Sequence, residues 1–320
     1  MHCGATFQYN WGSYRNCTCT LRTEQTGGPV SVNLRAQRLG VHNGAARFAP
    51  RSFDEALHGT FALWDVLDSM MRAYEPEYGY ATGYVRELQL RRMVEIARDE
   101  RSVGPHGEIN YCEVGMNGAH STVAMLLANP KLVAHVFDFM AWKYSAPIAT
   151  LLKRRFGERF NLHPGSSHET LTPWAGAFAA NGSRCQILFV DGDHAENGAL
   201  KDVADLRPVA APTSRLIMDD IAIGPGCSMR RMVRFGVLAV DETYGPFDAP
   251  SLHNPCMRTG GVGRRGNTRK SCVPWGFAVL RYTARGLQHP EAWPRKKRLG
   301  ANRGARCFDL SKEGQVNDER

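Results

Sequence analysis

The sequence predicts an α/β fold: a three-layer sandwich in which helices flank a seven-stranded, mostly parallel sheet with an antiparallel last strand. Three observations predict it. From about Ile109, apolar runs of strand length alternate with segments of helical period. Strands separated by single helices require right-handed crossovers, which give parallel pairing. The last two strand-like runs, 237–242 and 276–282, have no helical pattern between them, which places them as an antiparallel pair at one edge.

The elements follow in order. Ser52-Phe-Asp-Glu55 reads as a capping box, and Leu57, Phe61, Trp64, Leu67 and Met71 then recur at helical spacing until Glu75-Pro76. A second helix is expected over about 83–101, with Leu88, Leu90, Met93, Val94 and Ala97 as its buried face. Strands are expected at 110–114, 132–137, 160–163, 185–190 and 214–218. Helices are expected at 120–128, 145–156, about 168–180, 195–207 and 228–235. Three parts result: an irregular basic segment over 1–51, a domain over 52–282, and a basic tail over 283–320. Within the domain, 52–101 supplies N-terminal helices and 241–275 a Gly-, Pro- and Arg-rich loop on the substrate side, with His253 and Trp275 as candidates for lining a pocket.

Hydrophobic residues make up 43% of the 320-residue chain, enough to bury a core of ordinary size. No apolar run reaches the ~18–20 residues of a membrane span, and the first 16 residues lack the apolar region of a secretory signal. The net charge of +9 belongs to the flanks, because 53–282 holds as many acids as bases. A nucleic-acid partner would rest on Arg295-Lys296-Lys297-Arg298, which reads instead as a solvated tail. None of the nine cysteines forms a C-x-x-C pair. Cys112 and Cys185 lie in or beside apolar runs and read as buried thiols; Cys256 and Cys272 flank a Gly/Arg-rich loop. The chain reads as cytoplasmic, with an organelle transit peptide in 1–51 as the alternative.

In an open α/β sheet, ligands bind at the carboxyl ends of the strands. The first strand ends in Glu113-Val-Gly115-Met-Asn117-Gly118-Ala-His-Ser121. Gly115 and Gly118 permit a sharp turn and close approach to a ligand, and Ser121 lies near the helix start. A third glycine of the dinucleotide pattern is missing, and a leading acid repels pyrophosphate; both suit a zwitterionic ligand with an ammonium group. Asp138, after the second strand, is placed to accept ribose hydroxyls. Gly165-Ser166-Ser167-His168, after the third, offers polar side chains to the edge of an adenine.

The fourth strand runs into Asp191-Gly-Asp193-His194 and the fifth into Asp219-Asp220. Adjacent strands bring Asp191, Asp219 and Asp220 together, where they repel one another unless a cation intervenes. Oxygen ligands favour Mg²⁺, Mn²⁺ or Ca²⁺.

These features together resemble the class I, S-adenosylmethionine-dependent methyltransferases, of Rossmann-like fold. The chain is most similar, over roughly residues 83–282, to the small-molecule O-methyltransferases of the catechol and macrolide-sugar types. The resemblance implies S-adenosylmethionine as cofactor. Glu113, Gly115, Asn117, Gly118 and Ser121 would lie around its methionine part, Asp138 on the ribose, Ser167 and His168 near the adenine, and Asp191 beside the methyl donor. Ser166 departs from the aspartate that many relatives carry there. The resemblance also implies a divalent cation, Mg²⁺ among others, on Asp191, Asp219 and Asp220, and a small hydroxylated substrate. His194 stands near a lysine of related enzymes and is the candidate general base, with Asp191 beside it. A metal-independent N- or O-methyltransferase, a non-catalytic protein that binds S-adenosylmethionine or a partner, and a homodimer are left open.

Overall fold

The computed structural model describes residues 52–75, 85–99, 107–247 and 275–294. Two helices come first, α1 (Phe53–Tyr74) and α2 (Glu87–Asp99). The alternating part is β1 (Ile109–Val114), α3 (His120–Ala128), β2 (Leu132–Asp138), α4 (Ser145–Phe156), β3 (Phe160–Pro164), α5 (Ser167–Ala180), β4 (Cys185–Val190), α6 (Glu196–Leu206), β5 (Ala210–Met218) and α7 (Gly224–Arg234). Strands β6 (Leu238–Phe247) and β7 (Trp275–Tyr282) and the short helix α8 (Ala284–Gln288) close the fold.

The seven strands lie in the order β3-β2-β1-β4-β5-β7-β6. Strands β1 to β5 pair in parallel, and β7 is antiparallel to both neighbours, with Met218 opposite Ala278 and Leu238 opposite Tyr282. The central strands are buried on both faces, and their alternation divides the core. Tyr111, Ile187 and Phe189 join the layer of α1–α4. Val114, Leu188 and Val190 join the layer of α5, α6 and α7. This is the expected Rossmann-like three-layer sandwich.

The helices begin and end for local reasons. Ser52 Oγ accepts the Glu55 backbone N–H at 3.1 Å, which caps α1. Both N-terminal helices pack on α3, and Arg92 of α2 also reaches the edge strand β6, where its Nε donates to Glu242 Oε2 at 2.7 Å. In α2, Leu90, Met93, Val94 and Ala97 are buried. Leu88 is exposed, because it falls off the 90–94–97 stripe of the helix.

Four further details depart from the sequence reading. Cys112 and Cys185 are not thiols: they form a disulfide between the neighbouring strands β1 and β4, with Cα atoms 5.9 Å apart. Residues 241–247 continue β6 instead of opening a loop, and Tyr244 stacks on Phe277 across the ladder at 4.5 Å. Packing also continues past 282, where a tail was expected: Trp293 Nε1 donates to Gly286 O at 2.8 Å and its ring meets Tyr282. Finally, α5 begins one residue early, at Ser167. His253, Cys256, Cys272, the segment 1–51 and the Arg295–Arg298 run lie outside the described residues. No described helix is long and apolar enough to cross a membrane.

Candidate active site

The strand order reverses direction between β1 and β4, which opens a crevice at their carboxyl ends. Asp191 N donates to Val114 O at 2.9 Å and Gly115 N to Phe137 O at 2.8 Å, so three strand ends are tied together there. Gly115 has φ of +95°, and a Cβ at this position would overlap the Asp191 carbonyl. Only glycine serves both demands. Two non-glycine residues of the turn, Asn117 (φ 45°) and Ala119 (φ 64°), are also left-handed. Such strain concentrates where a binding surface must be held in one shape. Ala119 gives α3 no side-chain cap, so the first-turn N–H groups of α3 face the crevice end without one.

Glu113 does not reach the open edge. It is fully buried, and its two carboxylate oxygens accept the hydroxyls of Ser121 and, at 2.5 Å, Thr122. Burial pushes its pKa up to about 8, against the pull of those two hydroxyls. Through these bonds Glu113 anchors the start of α3 to β1. Asp138 also acts on the turn. Its Oδ2 accepts Met116 N at 2.8 Å and Asn117 N at 2.9 Å, and its Oδ1 accepts Met140 N at 2.6 Å. Three of its roughly four lone-pair positions are thus taken, which leaves room for one further donor.

Ser167 and His168 meet a residue the sequence reading passed over. Ser167 Oγ donates to Asp202 Oδ1 at 2.7 Å, and His168 Nε2 lies 3.5 Å from the same oxygen. Asp202 is fully buried on α6, and burial raises its pKa to about 6. Its position on the Ala199–Val203–Leu206 face was readable as an acid on an apolar stripe.

The acidic strand ends converge, and His194 joins them. Donor atoms of Asp191, His194 and Asp220 all lie within 4.8 Å of one another. His194 sits between two carboxylates, with Nε2 3.4 Å from Asp191 Oδ1 and Nδ1 3.3 Å from Asp220 Oδ2. Its ion pair with Asp191 raises its pKa to about 9. Burial raises that of Asp191, and the His194 contact opposes the rise. Asp219, expected as a further ligand, is buried, and its Oδ1 accepts the backbone N–H of Asp220 at 2.8 Å. Burial first, and then Asp191 and Asp220, push its pKa up. Asp220 is left-handed (φ 52°), a conformation aspartate tolerates, and this turns the strand end into α7.

The N-terminal helices cover the crevice from one side. Trp64 Nε1 donates to His120 O at 2.9 Å, and His120 Nε2 lies 2.9 Å from Asp68 Oδ1 in a buried pair. Arg86, just before α2, stacks its guanidinium over Trp275 at 4.3 Å. Gln89 is fully buried and faces Asp219, without a hydrogen bond of normal geometry.

Residues 112–221 match a family model described as a methyltransferase domain. No curated protein sequence matches the chain. Among solved structures, an O-methyltransferase from Bacillus cereus in complex with SAH is similar at 12% identity and a TM-score of 0.45, over 72% of this chain and 100% of that one. SAH-bound methyltransferase PaMTH1 from Podospora anserina is similar at 13% identity and a TM-score of 0.45, over 68% and 88%. The family match covers the glycine turn, the second- and third-strand ends and both acidic strand ends in one stretch, and over that stretch this chain carries a methyltransferase domain.

Proposed function

We propose that the protein transfers the methyl group of S-adenosylmethionine to a hydroxyl oxygen of a small molecule, with a divalent cation at the β4 and β5 ends. One observation carries this reading: the donor atoms of Asp191, His194 and Asp220 gather within 4.8 Å beside the glycine turn. Two carboxylates and one imidazole fit a divalent cation such as Mg²⁺ or Mn²⁺ when the imidazole is neutral. The cation would supply charge stabilisation to an acceptor oxygen that loses its proton.

The chain's own residues do the rest. Gly115, Asn117, Gly118 and the open start of α3 would receive the amino-acid end of the cofactor, with Ser121 as a support held by Glu113. Asp138 would offer its remaining lone pair to the ribose. Ser167 and His168, fixed by Asp202, would edge the adenine. Asp191 and His194 would stand at the methyl, where a basic group can take the acceptor proton. In-line transfer then depends chiefly on positioning.

A second reading is favoured by His194 itself, which lies between the two carboxylates and whose pKa is raised to about 9 by that company. In that reading transfer proceeds without metal. Titrating SAH and Mn²⁺ into wild type and Asp220→Asn separates the two. Metal assistance expects Mn²⁺ binding in wild type that Asp220→Asn weakens by 10-fold or more, with SAH affinity little changed. SAH binding with no Mn²⁺ binding leaves the metal-free reading. The cytoplasmic location read from the sequence sits against the Cys112–Cys185 disulfide, since disulfides persist mainly in oxidising compartments. Counting free thiols in protein isolated with alkylating agent present tests it.

A further inference from the structure

The acidic cluster has a fixed positive charge of its own. Arg86 lies on the approach to α2, and its Cζ sits 4.3 Å from the centre of the Trp275 ring. Trp275 opens β7 at the carboxyl edge of β5, where the next residue, Gly276, accepts the Ile221 N–H at 3.0 Å. That bond puts the ring beside the Asp219–Asp220 strand end. Three residues on, along the same side of α2, the buried amide of Gln89 faces Asp219. The guanidinium senses all three carboxylates, Asp219, Asp220 and Asp191, which work against its partial burial to keep it charged.

The stack explains why an arginine is held here. A flat guanidinium lies against an aromatic face and loses little of its freedom in doing so, and it does not give up its proton in a protein. Arg86 therefore cannot vacate its charge when another cation arrives, as an imidazole can.

We infer that Arg86, stacked on Trp275, is a built-in counter-cation of the Asp191, Asp219 and Asp220 carboxylates, and that it sets how tightly a divalent cation binds at Asp191, His194 and Asp220. The arrangement adds to His194 a second positive partner that stays when a metal arrives, and so weakens the cluster's grip on the metal. A loosely held, exchangeable metal is the consequence. This rests on the proposed reading of the strand ends as a cation site.

Mn²⁺ alone is the probe, titrated by electron paramagnetic resonance into the full-length protein as wild type, Arg86→Met and Arg86→Lys. The methionine keeps an apolar contact with Trp275 and removes the charge; the lysine keeps the charge. Arg86→Met is expected to bind Mn²⁺ at least 5-fold more tightly than wild type, and Arg86→Lys to stay within 3-fold of it. SAH affinity, measured in parallel, is expected to stay within 3-fold in both and reports that the domain is folded. Equal or weaker Mn²⁺ binding by Arg86→Met overturns the inference while leaving the cation site intact. Tightening by Arg86→Lys as large as by Arg86→Met also overturns it, since shape and not charge would then be responsible. No Mn²⁺ binding in any of the three proteins, with SAH bound by all, overturns the cation site and the inference together.

Discussion

His194 Nδ1 lies 3.3 Å from Asp220 Oδ2, so an imidazole from the end of β4 rests against a carboxylate from the end of β5. This contact adds an imidazole to the three carboxylates that adjacent strands bring together. It ranks the three acids. Asp220 and Asp191 face the imidazole, whereas Asp219 is buried and spends one oxygen on the Asp220 backbone. Asp219→Asn is therefore expected to cost less Mn²⁺ affinity than Asp220→Asn, by a factor of about 5 or more. Calorimetric titration of both variants checks it, and equal losses would return Asp219 to the ligand set.

Gly115→Ala should disrupt the fold of the turn. The substitution forces a side chain into a positive-φ position and onto the Asp191 carbonyl. Strain of this kind costs about 1–3 kcal/mol before the overlap is counted. Urea unfolding is expected to show a loss of more than about 2 kcal/mol, together with loss of SAH binding. A variant as stable as wild type would show that β1 and β4 do not approach so closely.

Asp138 carries two duties that can be separated. Removing its carboxylate leaves the N–H groups of Met116, Asn117 and Met140 without an acceptor. Asp138→Ala is expected to lower stability by about 1–3 kcal/mol and SAH affinity by 10-fold or more. Asp138→Asn keeps one acceptor oxygen and should recover part of the stability with less of the affinity. Full recovery of both would mean that the carboxylate charge has no role in the ligand.

Glu113 predicts a pH dependence of stability. Its folded pKa of about 8 stands above the ordinary 4.5, so the folded state holds the proton longer than the unfolded state. The contribution is fully present below about 4.5 and is lost as pH rises towards 8, at up to ~1.4 kcal/mol per pH unit. Glu113→Gln cannot titrate. The stability of wild type relative to this variant should fall between pH 5 and 8, as read by chemical denaturation across that range. A flat difference would show that Glu113 is ionised in the folded protein throughout.

The sequence by itself determined the strand–helix alternation, the sheet class and the location of the turn, because these rest on local period and on glycines that no other residue replaces. Helices over 120–128 and 145–156 and the strand 185–190 fall where periodicity placed them. The sharp turn after β1 was legible for the same reason, from Gly115, whose φ is +95°. What each polar group does was decided only by tertiary structure. Glu113 turns inward because Ser121 and Thr122, in the first turn of α3, satisfy it there. Asp202 reaches Ser167 from 35 residues away, and Arg86 reaches Trp275 across almost 190, with no pattern in the chain linking either pair. Cys112 and Cys185 look like separate apolar positions until β1 and β4 become neighbours in the sheet. Backbone preference is a short-range property and can be read along the chain, whereas charge, hydrogen bonding and crosslinking depend on what lies across space.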